Sequence, residues 1–389
     1  MNPTAAYIHI PFCRRRCYYC DFAITVVGDR PLQADSNIAQ DYIDYLCQEI
    51  RTIPQTNTPL QTIFFGGGTP SLLPVTHLKQ VIDTLQQQFT ISPDAEISME
   101  IDPNTFTQEK LQGYLDCGVN RVSLGIQTFD EKLLQACGRT HTVKDIFQAI
   151  AIIKKLSIKN FSLDLITGLP HQTIEQCQVS LETAIDINPT HLSCYDLVLE
   201  PVTVFGKKYH PGETPLPTDE ISAAMYRMTQ QLLTSNGYQH YEISNYARSS
   251  YQCQHNRVYW ENKPYYGFGM GAASYVREQR YTRPRTRREY YNWVKEGAVI
   301  DVPKTSKYDN LLETIMLGLR LAEGIDLSVI TQKFGRENTT KILESLQPYK
   351  NKNWVIIEDN EVSRLKLTDP EGFLFSNQIL TTLFELDFS

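Results

Sequence analysis

No stretch of the 389 residues approaches the roughly 18 consecutive apolar residues of a membrane-spanning helix. The chain also lacks a basic balance: 37 Lys and Arg stand against 44 Asp and Glu, a formal net charge of −7. No nucleic-acid partner is expected, since such proteins carry a basic domain. Low-complexity segments and internal repeats are missing. Met1-Asn2-Pro3-Thr4 leads straight into a strand pattern, without the charged and apolar regions of a secretory leader. Cysteine occurs nine times, an odd number, and most of these residues lie scattered in ordinary helix and strand patterns. That argues against a secreted disulfide framework. What remains is a globular chain expected in a reducing, cytoplasmic compartment, with at most peripheral membrane contact. It is long enough for a large α/β domain and something smaller.

The first two hundred residues alternate between two kinds of segment. Short β-branched and aromatic runs read as strands: Ala6–Phe12, Thr62–Phe65, Glu96–Ile101, Arg121–Ile126, Phe161–Ile166 and His191–Leu199. Between them, apolar residues recur at helical spacing over Ile38–Ile50, Val75–Phe89, Gln108–Leu115, Val143–Leu156 and Thr173–Ile185. Strands buried on both faces and alternating with helices imply a parallel sheet. Six such units fall short of a closed (β/α)8 barrel, so the expected fold is an open, three-quarter (β/α)6 barrel with its chemistry at the C-terminal strand ends. Residues 205–307 lose this rhythm, turn rich in Tyr, Gly and Arg, and are expected to cover or extend the barrel mouth. Residues 308–389 read as a small winged-helix-like α+β domain. Its helices are Asn310–Leu321, Leu327–Lys333, Thr339–Gln347 and Ser376–Phe384, and its strands Trp354–Glu358 and Val362–Leu367.

Directly after the first strand come Cys13, Cys17 and Cys20, spaced C-x3-C-x2-C around Arg14-Arg15-Arg16. Three thiolates on a short loop can hold three corners of a four-iron cluster and leave the fourth iron open. A structural zinc site would need a fourth ligand, for which His9 is the one neighbouring candidate. Redox-active thiols more often show a bare C-x-x-C. The second strand ends in Gly66-Gly67-Gly68-Thr69-Pro70. Glycines at that point let a ligand approach the backbone closely.

Together these motifs resemble the radical S-adenosylmethionine (SAM) superfamily, in particular the family of oxygen-independent coproporphyrinogen III oxidase and its heme-chaperone relatives. Further matches are Tyr7-Ile8-His9-Ile10-Pro11-Phe12, Glu100-Ile101-Asp102-Pro103, Arg121 to Gln127, Gly138-Arg139, Asp164 to Pro170 and Tyr265 to Gly269. The resemblance implies a 4Fe-4S cluster on Cys13, Cys17 and Cys20, and SAM in a pocket formed by Tyr7, Gly67, Gly68, Thr69, Glu100, Gln127, Arg139 and Asp164. It also implies reductive cleavage of SAM, and hence an electron donor for the cluster.

Two departures weigh against the oxidase. Its pattern adds a cysteine two residues after the third, where this chain has Phe22, and an N-terminal extension, where only a few residues precede Tyr7. Two stretches resemble the chaperone branch instead: Tyr241 to Ala247, and His255-Asn256-Arg257-Val258-Tyr259-Trp260. That resemblance implies heme as a ligand, with delivery to membrane-bound acceptors such as respiratory enzymes. His255 is a candidate axial ligand, since imidazole binds heme iron well, but also a candidate for ordinary packing. The arginines at 277, 280, 283, 285, 287 and 288 suit heme propionates, anionic lipid headgroups or plain solvent exposure alike. Coproporphyrinogen III dehydrogenation remains the alternative activity.

Overall fold

The computed structural model describes residues 2–29, 32, 37–359 and 363–387. Side-chain alternation along six strands sets the architecture. The strands are β1 (Ala5–Ile10), β2 (Leu60–Gly67), β3 (Ile91–Ile101), β4 (Arg121–Gln127), β5 (Phe161–Thr167) and β6 (His191–Asp196). On one face stand apolar, fully covered residues such as Ile8, Phe65, Met99, Leu124 and Leu163, joined in a single core with the apolar stripes of the flanking helices. Successive residues of a strand point to opposite faces. The alternate positions are polar: Tyr7 and His9, Thr62, Glu96 with Ser98 and Glu100, Arg121 with Ser123, Ser162 with Asp164, and His191 with Ser193. The sheet is therefore apolar toward its helices and polar within.

β1 to β6 pair in chain order, all parallel. The flanking helices are Asn37–Thr52, Val75–Phe89, Gln108–Asp116, Val143–Lys155 and Ile174–Ile187. The last two are held at their starts by Thr142 and Thr173, each closing a capping box with the residue three positions on. The sheet does not close. This is the expected open, three-quarter (β/α)6 barrel.

The stretch from residue 205 does more than cover the mouth. Helix Asp219–Ser235 packs against Ile174–Ile187 as the sixth helix of the barrel. β7 (Gln239–Glu242) and β8 (Asn245–Ala247) extend the sheet antiparallel beyond β6, while β9 (Tyr266–Phe268) pairs parallel with β1 at the other edge. The order is β9–β1–β2–β3–β4–β5–β6–β8–β7. A buried ion pair clamps the β9 edge: Arg283 Nε donates to Glu49 Oε1 at 2.8 Å, and Glu49 also accepts from Tyr290 and the Gly269 amide.

The C-terminal residues build a second core around Leu311, Ile315, Ile330, Ile342, Leu365 and Ile379. Helices Lys307–Gly318, Leu327–Phe334 and Arg336–Ser345 precede a three-stranded antiparallel sheet, completed by the two-residue strand β10 (Ile325–Asp326) that periodicity does not reveal. Its other strands are β11 (Val355–Asp359) and β12 (Ser363–Leu367). Val362, expected to open the last strand, lies outside the described residues. Among the described residues no helix is long and apolar enough to cross a membrane.

Candidate functional site

The inner polar face opens at the C-terminal strand ends into a cavity of about 430 Å³. Cys13, Cys17 and Cys20 all line it, and all three are free thiols. Their loop is pinned at several points. Phe12–Cys13 pairs in parallel with Thr25–Val26, and the Tyr18 amide donates to Cys137 O at 3.0 Å. Arg16 turns away from the cavity and donates to Cys20 O and Phe22 O, both at 3.1 Å. Arg14 and Arg15 remain on the cavity wall. Burial pushes the Cys13 thiol up to about 12.

Three free thiols lining one cavity are a donor set that a 4Fe-4S cluster can use. Among the described residues, no three Cys, His, Asp or Glu side chains converge on one metal position. His9, the one candidate for a fourth zinc ligand, has both ring nitrogens engaged, Nε2 with Ala23 O at 2.7 Å and Nδ1 with Tyr7 OH at 3.0 Å. A cluster instead takes one thiolate at each of several corners.

The glycine loop packs directly against Cys13 and shares the cavity wall with it. Gly67 has φ +114°, and its amide donates to Glu100 Oε2 at 3.1 Å. A Cβ on Gly68 would lie 2.7 Å from Phe12 O and 2.9 Å from Cys13 Sγ. Only glycine lets this backbone pass so close to the cysteine. Thr69 Oγ1 reaches Cys13 Sγ at 3.7 Å.

Glu100 on β3 and Asp164 on β5 point inward on either side of Ser123 of β4. Burial, then the charge of Asp164, pushes the Glu100 carboxyl up to about 8. Burial also raises Asp164, although Ser123 Oγ donates to it at 2.8 and 2.9 Å and Ser162 Oγ at 3.1 Å. A cation placed beside these two buried carboxyls would favour their charged forms and offset the cost of burying them. Arg139 joins the thiols to the carboxylates, its Nη1 donating to Cys17 Sγ at 3.4 Å and its Nη2 to Asp102 Oδ1 at 2.5 Å. Gln127, at a bulge closing β4, sits at φ +61° and carries a buried Oε1 without a hydrogen-bond partner. Backbone strain and an unpaired buried acceptor in one cavity-lining residue fit a polar ligand there. Asp102, Ser123, Tyr195 and Asp196 also line the cavity. Sequence reading did not single them out, although inward alternation marks Ser123 and Tyr195.

The structure moves two expected residues. Tyr7 does not line this cavity. Its ring stacks on Phe64 with centroids 6.3 Å apart, beneath the glycine loop, and it borders a second cavity of about 310 Å³ with Tyr259, Trp260 and Arg280. His255 does not stand free for heme iron. Helix Gln254–Trp260 inserts it beside the start of β2, where it has no exposed surface. Its Nδ1 pairs with Thr62 Oγ1 and its Nε2 with Tyr259 OH, both at 2.8 Å. Burial, with Arg121 nearby, lowers it to about 3. Glu96 holds the same helix through the Gln254 and His255 amides. In this arrangement His255 is a packed, hydrogen-bonded floor residue. Cys253 is likewise buried, its thiol pushed up to about 12.

Comparison with known proteins follows the same lines. The radical SAM superfamily model matches residues 7–184, and the HemN C-terminal domain model matches residues 305–375. The heme chaperone HemW of Synechocystis sp. is 49% identical over 401 residues, spanning 99% of this chain and 97% of that protein. HemW of Bacillus subtilis is 34% identical, spanning 96% and 97%. The fold is similar to that of coproporphyrinogen III oxidase (HemN) from Escherichia coli, with a TM-score of 0.82 at 24% identity over 98% of this chain and 90% of that one.

Proposed function

Because the chain belongs to the heme chaperone HemW family of the radical SAM superfamily, we propose that it binds a 4Fe-4S cluster, SAM and heme, and delivers heme to acceptor proteins. The 49% identity to Synechocystis HemW over 99% of the chain carries this reading. Cys13, Cys17 and Cys20 would hold the cluster, which when bound supplies the electron for SAM cleavage. The chain's own part is to orient and shield. The Gly67-Gly68 backbone and Thr69 would seat the polar end of SAM. Gln127 would offer its unpaired acceptor, and Arg139 would hold Cys17 against Asp102. The acceptors would be membrane-bound heme proteins such as respiratory enzymes, reached from the cytoplasm. Delivery is tested by mixing heme-loaded protein with a heme-free membrane cytochrome. Heme absorbance should move to the cytochrome; heme retained by the donor, or never bound, would sink the reading.

Glu100 gives this site a pH signature. Free of ligand, its carboxyl titrates near 8, with Asp164, Asp102 and Tyr7 facing it. A sulfonium or ammonium beside it favours the carboxylate, so binding releases a proton. SAM affinity should then rise as pH climbs toward about 8, up to about tenfold per unit while the acid form dominates, and flatten above. Calorimetric titration in buffers of different ionisation enthalpy reads both the slope and the released proton. A flat profile in the wild type, or an unchanged slope in Glu100→Gln, would count against contact between this carboxyl and the cation.

A further inference from the structure

A groove of about 670 Å³ adjoins the main cavity at the barrel mouth, and Phe22, Ile24 and Glu200 line both. Its floor is apolar and open to solvent, with Phe22 56% and Val202 68% exposed. Single exposed apolar residues need no explanation, but two on the rim of one concave surface form the kind of patch that marks a ligand site. Its polar wall carries three guanidinium groups, Arg16, Arg285 and Arg287, against the carboxylates of Asp21 and Glu200. Asp21 lies 3.5 Å from Arg285, and Arg16 holds loop carbonyls. Arg287 Nη1 is buried and has no hydrogen-bond partner. The guanidinium groups of Arg285 and Arg287 lie on the groove wall, where a ligand carboxylate can pair with them.

We propose that this groove is the porphyrin-docking site, with the macrocycle laid on Phe22 and Val202 and its propionates on Arg285 and Arg287. The assignment rests on the heme-chaperone reading and gives heme a seat that the buried His255 does not. A flat apolar disc with carboxylates along one edge matches an apolar floor with guanidinium groups along one side. Phe22 also acquires a role: where the oxidase pattern has a cysteine, this chain places an apolar wall between groove and cavity. A porphyrin lying on it presents one edge to the chamber of the three thiols.

The test is fluorescence titration of the full-length protein with protoporphyrin IX and with its dimethyl ester, which lacks the charged carboxylates. The wild type should prefer the free acid by at least about tenfold, the scale of one or two charge-assisted hydrogen bonds. Arg285→Ala/Arg287→Ala should erase that preference. Val202→Glu, at an exposed position where folding is not at stake, should weaken both ligands at least about tenfold by placing a charge under the apolar ring. Circular dichroism checks that each variant is folded. Undiminished porphyrin and heme binding in all variants would overturn the groove and leave the heme reading standing. Loss of phosphatidylserine-vesicle binding in the arginine variant, with porphyrin affinity intact, would assign the arginines to a lipid surface and likewise overturn it. A wild type that binds neither heme nor porphyrin would sink both.

Discussion

Gly68→Ala should strip the protein of its cluster. The added methyl group would meet Phe12 O at 2.7 Å, a Pro11 backbone atom at 2.8 Å and Cys13 Sγ at 2.9 Å. Two of these neighbours are backbone on the strand-paired segment that carries Cys13, so neither can rotate away. Either the glycine loop lifts or Cys13 leaves its place, and a cluster on three thiolates has no spare ligand. Iron after anaerobic reconstitution should fall from about four to below about one per chain, as for a cluster that has lost a corner. 5′-Deoxyadenosine formation from SAM should fall at least about 100-fold with it, the scale of displaced cofactor ligands. Gly28→Ala is the matched control. Unlike Gly68 it sits at positive φ, +75°, but its Cβ would meet nothing within 4 Å, so it carries backbone strain without a clash. It should lose about 1 kcal/mol of stability to backbone strain and keep its iron. Equal iron in the Gly68 variant and the wild type would show that the loop does not abut the cluster.

His255→Ala should unfold the barrel floor rather than remove an iron ligand. The imidazole is stacked on Phe64 with centroids 5.3 Å apart and bridges Thr62 to Tyr259. Truncation leaves a cavity and two buried hydroxyls each short of a partner, together about 2–5 kcal/mol. Urea unfolding followed by far-ultraviolet dichroism should show a loss in that range. Heme affinity per folded molecule should stay within about threefold of the wild type, the usual scale of an indirect effect. Heme binding abolished at unchanged stability would mean that helix Gln254–Trp260 opens to release His255 as a ligand.

Much of the barrel is legible in the sequence because its strands alternate so regularly. Ile63, Phe65, Ile97, Met99, Val122 and Leu124 announce one buried face, and Thr62, Glu96, Ser98, Glu100 and Ser123 announce a polar one. The cysteine spacing and the glycine loop mark the mouth because each sits where a strand ends. Depth along the barrel is less legible. Alternation turns Tyr7 inward, but His255 lies on a helix, and only the placement of helix Gln254–Trp260 against β2 puts it on the floor, away from the thiols. The Arg139–Asp102 pair spans two units, and no local pattern ties residues 37 apart. Edge strands such as Tyr266–Phe268 are too short to carry a period of two. Helix Asp219–Ser235 is hard to read from the sequence because its buried set, Met225, Tyr226, Thr229 and Leu233, mixes polar with apolar residues and blurs the stripe.

The central claim is a heme chaperone built on a radical SAM core, and one assay separates it from the related oxidase. Protein with a reconstituted cluster would be incubated anaerobically with a reductant, SAM and coproporphyrinogen III, and porphyrin products and 5′-deoxyadenosine measured in the same tube. SAM cleavage without protoporphyrinogen IX is the predicted result, with Phe22 standing at the oxidase's extra-cysteine position. Protoporphyrinogen IX formed in step with SAM cleavage would contradict it and make this chain an oxidase.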